Sequence, residues 1–268
     1  MGGIMDSNYF ISSFPDSRVA TFDVGVIGRK KHHIIGLLEI DVTDAKNMIK
    51  NQIRNGGQCS FMAWLLKTIG TTVADFKQVH AINTRGNRQV IFNDVDISFT
   101  VERVVNGVRV PLAAIIRDAG SRSLADIFQQ LEDVKARNID GRQDYVINDR
   151  KSNRRNLLFF RLPQRIRLLI WKYILKNPFS IKKNMGTVMV TNVGLAGNTS
   201  GWIIPKSIHN IAFGIGSVNK KPWVVDNKVE VRDIMSLTVL FDHDAVDGMP
   251  AAKFVARLTK NLQTGKWI

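Results

Sequence analysis

The chain has 268 residues, 44% of them apolar and 23% charged, which is ordinary for a folded protein able to bury a sizeable core. It contains no run of about 18 uncharged apolar residues that could span a bilayer, and Met1 to Phe10 lack the basic and apolar regions of a secretory signal. One cysteine, Cys59, excludes an intramolecular disulfide and fits a reducing, cytoplasmic compartment. The net charge of +15 is unevenly placed: eleven basic residues and no acidic one lie between Arg150 and Lys183.

In chain order, His33 to Val42 reads as a strand, and Thr43 as the N-cap of a helix through Met48 and Ile49 that Asn55-Gly56-Gly57 stops. Ser60 to Val73 is apolar on nearly every side and predicts a helix buried by its neighbours, with Cys59 at its start as a small core residue. Ile91 to Val105 and Val108 to Ile116 predict two strands joined at Asn106-Gly107, a strong hairpin signal. Ser123 and Asp126 have capping-box spacing, and Leu124, Ile127, Phe128, Leu131 and Val134 follow with helical period. Asn138 to Asn156 reads as a long polar excursion, and Pro163 opens a helix to about Lys176. Met185–Thr191, Ile208–Val218, Pro222–Val225 and Ile234–Phe241 read as strands, and a last helix runs from near Asp247 to Gly265. Hairpins mixed with separated helices predict an α/β two-layer sandwich with a mixed sheet. No phosphate-binding glycine loop or metal-ligand spacing occurs.

The most informative segment is Phe241-Asp242-His243-Asp244-Ala245-Val246-Asp247-Gly248. It places an imidazole where a strand ends and, four residues on, an aspartate and a glycine where a helix begins. Loops at strand ends are where sites are built. Taken locally, the pattern equally describes a polar strand-end histidine followed by an aspartate that caps a helix.

His243-x-x-x-Asp247-Gly248, followed by the small-residue helix Met249-Pro250-Ala251-Ala252-Lys253-Phe254, resembles the signature of the acyltransferase components of 2-oxoacid dehydrogenase complexes; chloramphenicol acetyltransferases share the motif. Further stretches resemble the family in its own order over roughly residues 20 to 262. They are His33–Thr43; Val108–Leu124 with Val110-Pro111 and Ile116-Arg117-Asp118-Ala119; Gly186–Gly194; and Ile211–Gly216. The resemblance implies the CoA-dependent acyltransferase (chloramphenicol acetyltransferase-like) fold, one catalytic domain over 1–268, and a basic amphipathic insertion at about 140–183.

The chemistry implied is acyl transfer between CoA and a thiol, a dihydrolipoyl group or another acceptor. By resemblance His243 is the general base, since imidazole titrates near neutral pH and a thiol near about 8.5 does not ionise unaided. Thr191 matches the position of the hydroxyl that stabilises the oxyanion, although a β-branched residue also suits a strand. Asp247 holds local structure, with Arg29 as the expected ion-pair partner and Gly248 completing the motif. Coenzyme A or acyl-CoA is expected as substrate, with no bound metal and no lipoyl group on this chain. The family's site lies between subunits of a trimer, so a homotrimer is implied, with His243 of one chain facing Thr191 of the next. His32, His33, His80 and His209 carry no family role and read as structural.

Three features depart from the family. The chain is too short for lipoyl and subunit-binding domains ahead of the catalytic one, Asp244 stands where arginine is usual, and Leu262 to Ile268 do not resemble the family's trimer-linking tail. The basic segment is additional: Arg161, Arg165, Lys172 and Lys176 share one helical face, with apolar residues on most of the rest. Such a helix suits a membrane surface or an acidic partner, covers an acyl-binding channel, or packs on the protein's own sheet or a neighbouring subunit; no motif supports nucleic acid. The resemblance leaves both a lipoyl-bearing protein and a small molecule open as the acceptor, which offers a thiol, an amine or a hydroxyl. The rival reading is a non-catalytic trimeric scaffold bound to a membrane or an acidic partner through residues 161–176.

Overall fold

A computed structural model describes residues 9, 16–105, 108–136, 146–147, 159, 161–194 and 200–268. Its elements are α1 (Asp16–Gly28), β1 (His33–Asp41), α2 (Thr43–Arg54), α3 (Phe61–Asp75), the short strands β2 (Ile82–Thr84) and β3 (Arg88–Val90), β4 (Ile97–Val105), β5 (Val108–Ile116) and α4 (Leu124–Ala136). Then follow β6 (Val146–Ile147), α5 (Gln164–Ile174), α6 (Pro178–Met185), β7 (Val188–Asn192), β8 (Ile211–Val225), β9 (Lys228–Asp242) and α7 (Gly248–Gln263).

Among the described residues the main sheet has the order β1-β9-β8-β7-β4-β5-β6. The β1–β9, β8–β9 and β4–β5 pairs are antiparallel, and β4–β7, β7–β8 and β5–β6 are parallel. This is the mixed sheet the sequence predicts. Alternate strand residues such as Ile40, Val239, Phe213, Val190 and Phe99 join Trp64, Leu65, Ile69, Phe254 and Leu258 of α3 and α7 in the core. α3 is buried on nearly every side because the sheet, α4 and α7 enclose it; Ser60 caps its start by accepting the N–H of Ala63 at 3.2 Å. The capping box forms reciprocally: Ser123 Oγ accepts from Asp126 N at 3.1 Å, and the Asp126 carboxylate from Ser123 N at 3.3 Å.

The second face of the sheet carries small and polar residues. Thr191, Gly214, Thr238 and Leu37 lie side by side on β7, β8, β9 and β1. The segment 201–205 crosses this face so closely that a Cβ on Gly214 would lie 2.3 Å from the Ile203 carbonyl oxygen, and one on Gly216 equally near that of Gly201. Trp202 secures the segment by donating to Leu38 O at 2.9 Å.

Several expectations are corrected. Val42, not Thr43, is the N-cap of α2; Thr43 instead donates its hydroxyl to Asp41 and accepts the N–H of Asp233, tying the helix start to β9. Ile91 to Asp96 are not strand; β4 begins at Ile97, because Asp96 turns its carboxylate to Arg117, Lys182 and the N–H of Asp118. β8 and β9 are each 15 residues long and form one hairpin, closed at Asp226-Asn227, both with positive φ (48° and 61°), in place of three shorter strands. The polar excursion Asn138–Asn156 lies outside the described residues except for β6, which pairs with β5. α1 was not foreseen, since its inward residue is Asp23 whereas Phe22 faces outward.

Candidate active site

β9 delivers the histidine. Asp242, its last residue, is buried beneath the turn and accepts backbone N–H groups from Ala245 and Val246 on its carbonyl, at 2.9 and 3.1 Å. Val246 is buried, and α7 begins one residue after Asp247. His243 is thereby held at the surface, its N–H donated to His32 O at 2.9 Å. Among the described residues its imidazole makes no hydrogen bond, so it is free to meet a substrate.

The segment before β1 grips this turn. Lys31 Nζ lies 2.7 Å from the Asp242 carboxylate and 2.6 Å from Asn210 Oδ1. His32 Nδ1 sits 3.0 and 3.1 Å from the two oxygens of Asp244; that carboxylate raises the histidine's pKa, and the histidine holds the carboxyl below its usual range. Asn83 and Gln89, on the β2–β3 hairpin, donate to the carbonyls of Asp244 and Ala245 at 2.7 and 3.0 Å. The aspartate that follows the histidine therefore has a local role, as partner of His32.

Arg29 and Asp247 form no ion pair among the described residues, which corrects that expectation. Both are exposed, and the side chains that reach the loop's carboxylates are Lys31 and His32 instead. Asp247 occupies the N-cap position of α7 without a side-chain cap bond. Gly248 has open space around it: a Cβ there would meet nothing within 4 Å.

Thr191 lies on the second face of the sheet, half-buried, its hydroxyl 3.2 Å from that of Thr100 on β4. It stands in register with Thr238 through Gly214, so His243 is five residues further along and two strands across. At about 3.3 Å per residue and 4.8 Å per strand the separation is roughly 19 Å. One chain does not bring the two together.

His80, His209 and His33 are structural, as expected. His80 Nδ1 lies 2.9 Å from Thr187 Oγ1, His209 Nε2 donates to Met185 O at 2.9 Å, and His33 Nε2 donates to His209 O at 3.0 Å. Burial lowers His80 and His209 to pKa values of about 4. A cleft of about 100 Å³ opens beside the loop between Lys31, Asn83, Thr187, Leu175, His209 and Asn210. Burial also raises the Cys59 thiol, consistent with an inert core residue. No group of three or more His, Cys, Asp and Glu side chains suited to a metal ion occurs among the described residues.

Lys31, Asp242, Asn83 and Thr100 take part without a sequence signal for their roles. Lys31 and Asp242 flank recognisable positions, but only tertiary pairing reveals that they meet. Thr100 had no local signal beyond its place in a strand.

Together, the mixed sheet, the strand-end histidine turn and the helix that follows it define the CoA-dependent acyltransferase fold. A solved dihydrolipoamide acetyltransferase from Listeria monocytogenes, described as probable, superposes with a TM-score of 0.68 at 16% identity over 96% of this chain and 95% of that one. A chloramphenicol acetyltransferase gives 0.51 at 11% identity, covering 93% and 96%. Residues 182–266 match the family model described as 2-oxoacid dehydrogenases acyltransferase (catalytic domain). The lipoamide acyltransferase component of the branched-chain alpha-keto acid dehydrogenase complex of Bacillus subtilis is 21% identical over 94% of this chain. The chain is thus similar to these acyltransferase domains, as its motifs indicate. It spans 55% of that relative's length and from 19% to 43% of other curated relatives.

Proposed function

We propose that the chain is a CoA-dependent acyltransferase whose site is completed by a neighbouring copy in a homotrimer. The observation that carries this reading is the His243 turn: an unencumbered imidazole on a rigidly supported strand end, in the fold and sequence context of acyltransferase domains. The imidazole takes the proton from the acceptor thiol as its sulfur attacks the thioester carbonyl, a role typically worth about 10²–10⁴ in rate. The carbonyl oxygen becomes an oxyanion and accepts a hydrogen bond from the Thr191 hydroxyl of the facing copy. Thr100 can in turn donate to Thr191, leaving the Thr191 proton directed at the oxyanion. Collapse of the intermediate breaks the bond to the CoA sulfur, which recovers the proton from the imidazolium.

Four features support a partner copy. The intrachain separation of His243 and Thr191 is too wide for both to act on one thioester. Ile35 and Leu37 on β1, with Ile203 and Ile204 of the crossing segment, leave apolar surface exposed around the Thr191 face. The β8–β9 arm exposes Val224, Val229 and Val231, with Pro222 paired to Val231, on one side of a two-stranded ribbon. The open space at Gly248 leaves room for a substrate or neighbouring chain to approach α7. Asp247 and Gly248 set where α7 starts and so where the histidine turn ends.

The acceptor is a dihydrolipoyl group or a small molecule of similar chemistry, with no lipoyl group carried on these residues. The direct test is acetyl-CoA turnover with free dihydrolipoamide, comparing the unaltered protein with His243→Ala. A fall of at least about 10²-fold is expected; undiminished activity in the variant would sink the mechanism.

A further inference from the structure

We propose that the outer face of α5 docks on an anionic lipid surface. α5 is fixed from within: Arg167 is buried and its guanidinium grips both oxygens of Asp23 on α1, at 2.8 and 2.9 Å, while Trp171 packs edge-on against Phe159. Arg167 is thus unavailable to any external partner. The outer face presents two adjacent rows. Ile166, Leu169 and Tyr173, spaced three and four apart, form a ridge whose members are 44%, 66% and 80% exposed. At about 100° per residue, Arg165 and Lys172 line one flank of this ridge, and Lys176 follows just past its C-terminal end, while Arg161 precedes the break at Leu162-Pro163 and lies outside the helix. All four cations are exposed and in no ion pair among the described residues.

A convex ridge of two aliphatic side chains and a tyrosine, bordered by unpaired cations, matches a bilayer interface. The apolar tips enter the headgroup boundary, tyrosine sits where its ring is apolar and its hydroxyl wet, and the cations meet lipid phosphates. The length fits the same geometry. Eleven residues span about 16 Å, too short to cross a bilayer, and no described helix is long and apolar enough to do so. The absence of acidic residues from Arg150 to Lys183 removes self-repulsion from an anionic surface. A nucleic acid would use the cations but has no need of exposed Leu169 and Ile166.

The test is co-sedimentation of the full chain with phosphatidylcholine vesicles, with or without roughly 30% phosphatidylglycerol. The expected result is binding at least about tenfold tighter to the anionic vesicles, and its loss near 0.5 M salt. Two variants divide the contributions: Arg165→Gln/Lys172→Gln/Lys176→Gln, and Ile166→Gln/Leu169→Gln, which leaves charge unchanged. Both should lose vesicle binding while keeping the unaltered far-ultraviolet circular dichroism. Equal binding to both vesicle types, or binding that survives either variant, would overturn the proposal. So would retention in the apolar variant of binding to poly-glutamate or duplex DNA that vesicles fail to match, which would assign the patch to an acidic protein or nucleic acid.

Discussion

His80 and His209 illustrate how a residue's surroundings set its chemistry. Both are neutral in the native chain down to about pH 4 because burial disfavours the charged ring. In the unfolded chain they titrate near the ordinary value of about 6.5, so between these values the unfolded state takes up protons that the native state refuses. The stability they permit is fully present above about pH 6.5 and falls as pH drops towards 4, by up to about 3 kcal/mol per histidine. Urea denaturation at pH 7.5 and pH 5 should show the decline, and His209→Gln should flatten its share. Cys59 makes a complementary case: burial raises its thiol, so thiol-alkylating reagents should label the native chain far more slowly than the unfolded one. At this scale the sequence revealed His243 through its motif. It could not reveal Lys31, whose partner Asp242 lies 211 positions away.

Between elements, buried polar contacts decide the assembly. The Arg167–Asp23 pair joins α5 to α1 with both side chains buried. Arg167→Met should destabilise the chain by about 3–5 kcal/mol, because Asp23 is left charged and unpaired, and adding Asp23→Leu should restore most of it. Denaturant midpoints of the two variants read this directly. This pair also explains why α1 escaped the sequence reading: a helix that buries aspartate and exposes phenylalanine inverts the usual pattern. α4 was legible because its capping box and apolar period agree with where it packs, and α3 because its nearly all-round apolar character matches its enclosure. On the second face of the sheet, Gly214→Ala would force the Ile203 carbonyl away and should cost about 1–3 kcal/mol. Displacement of Trp202 should accompany it, read as a change in tryptophan fluorescence.

For the whole molecule, the decisive geometry is the separation of His243 and Thr191. Neither His243→Ala nor Thr191→Val chains should transfer acyl groups efficiently. Co-assembled from unfolded chains in equal amounts, they should regain about a quarter of the unaltered activity, because that fraction of interfaces pairs an intact histidine with an intact threonine. No recovery on mixing, with trimers confirmed by sedimentation, would rule out a site shared between His243 of one copy and Thr191 of the next.

Local sequence determined the strands and helices whose apolar period matched their final burial, the strand-end histidine turn, and the order of motifs that marks the acyltransferase fold. These properties are written in neighbouring residues, where spacing alone fixes which side chains share a face. Tertiary structure decided which side chain meets which carboxylate, replacing the expected Arg29–Asp247 pair with Lys31–Asp242 and His32–Asp244. It also merged the separate strands of the C-terminal half into one long hairpin and set Thr191 on a face away from His243. Such choices depend on contacts between residues far apart in the chain, which local spacing does not encode.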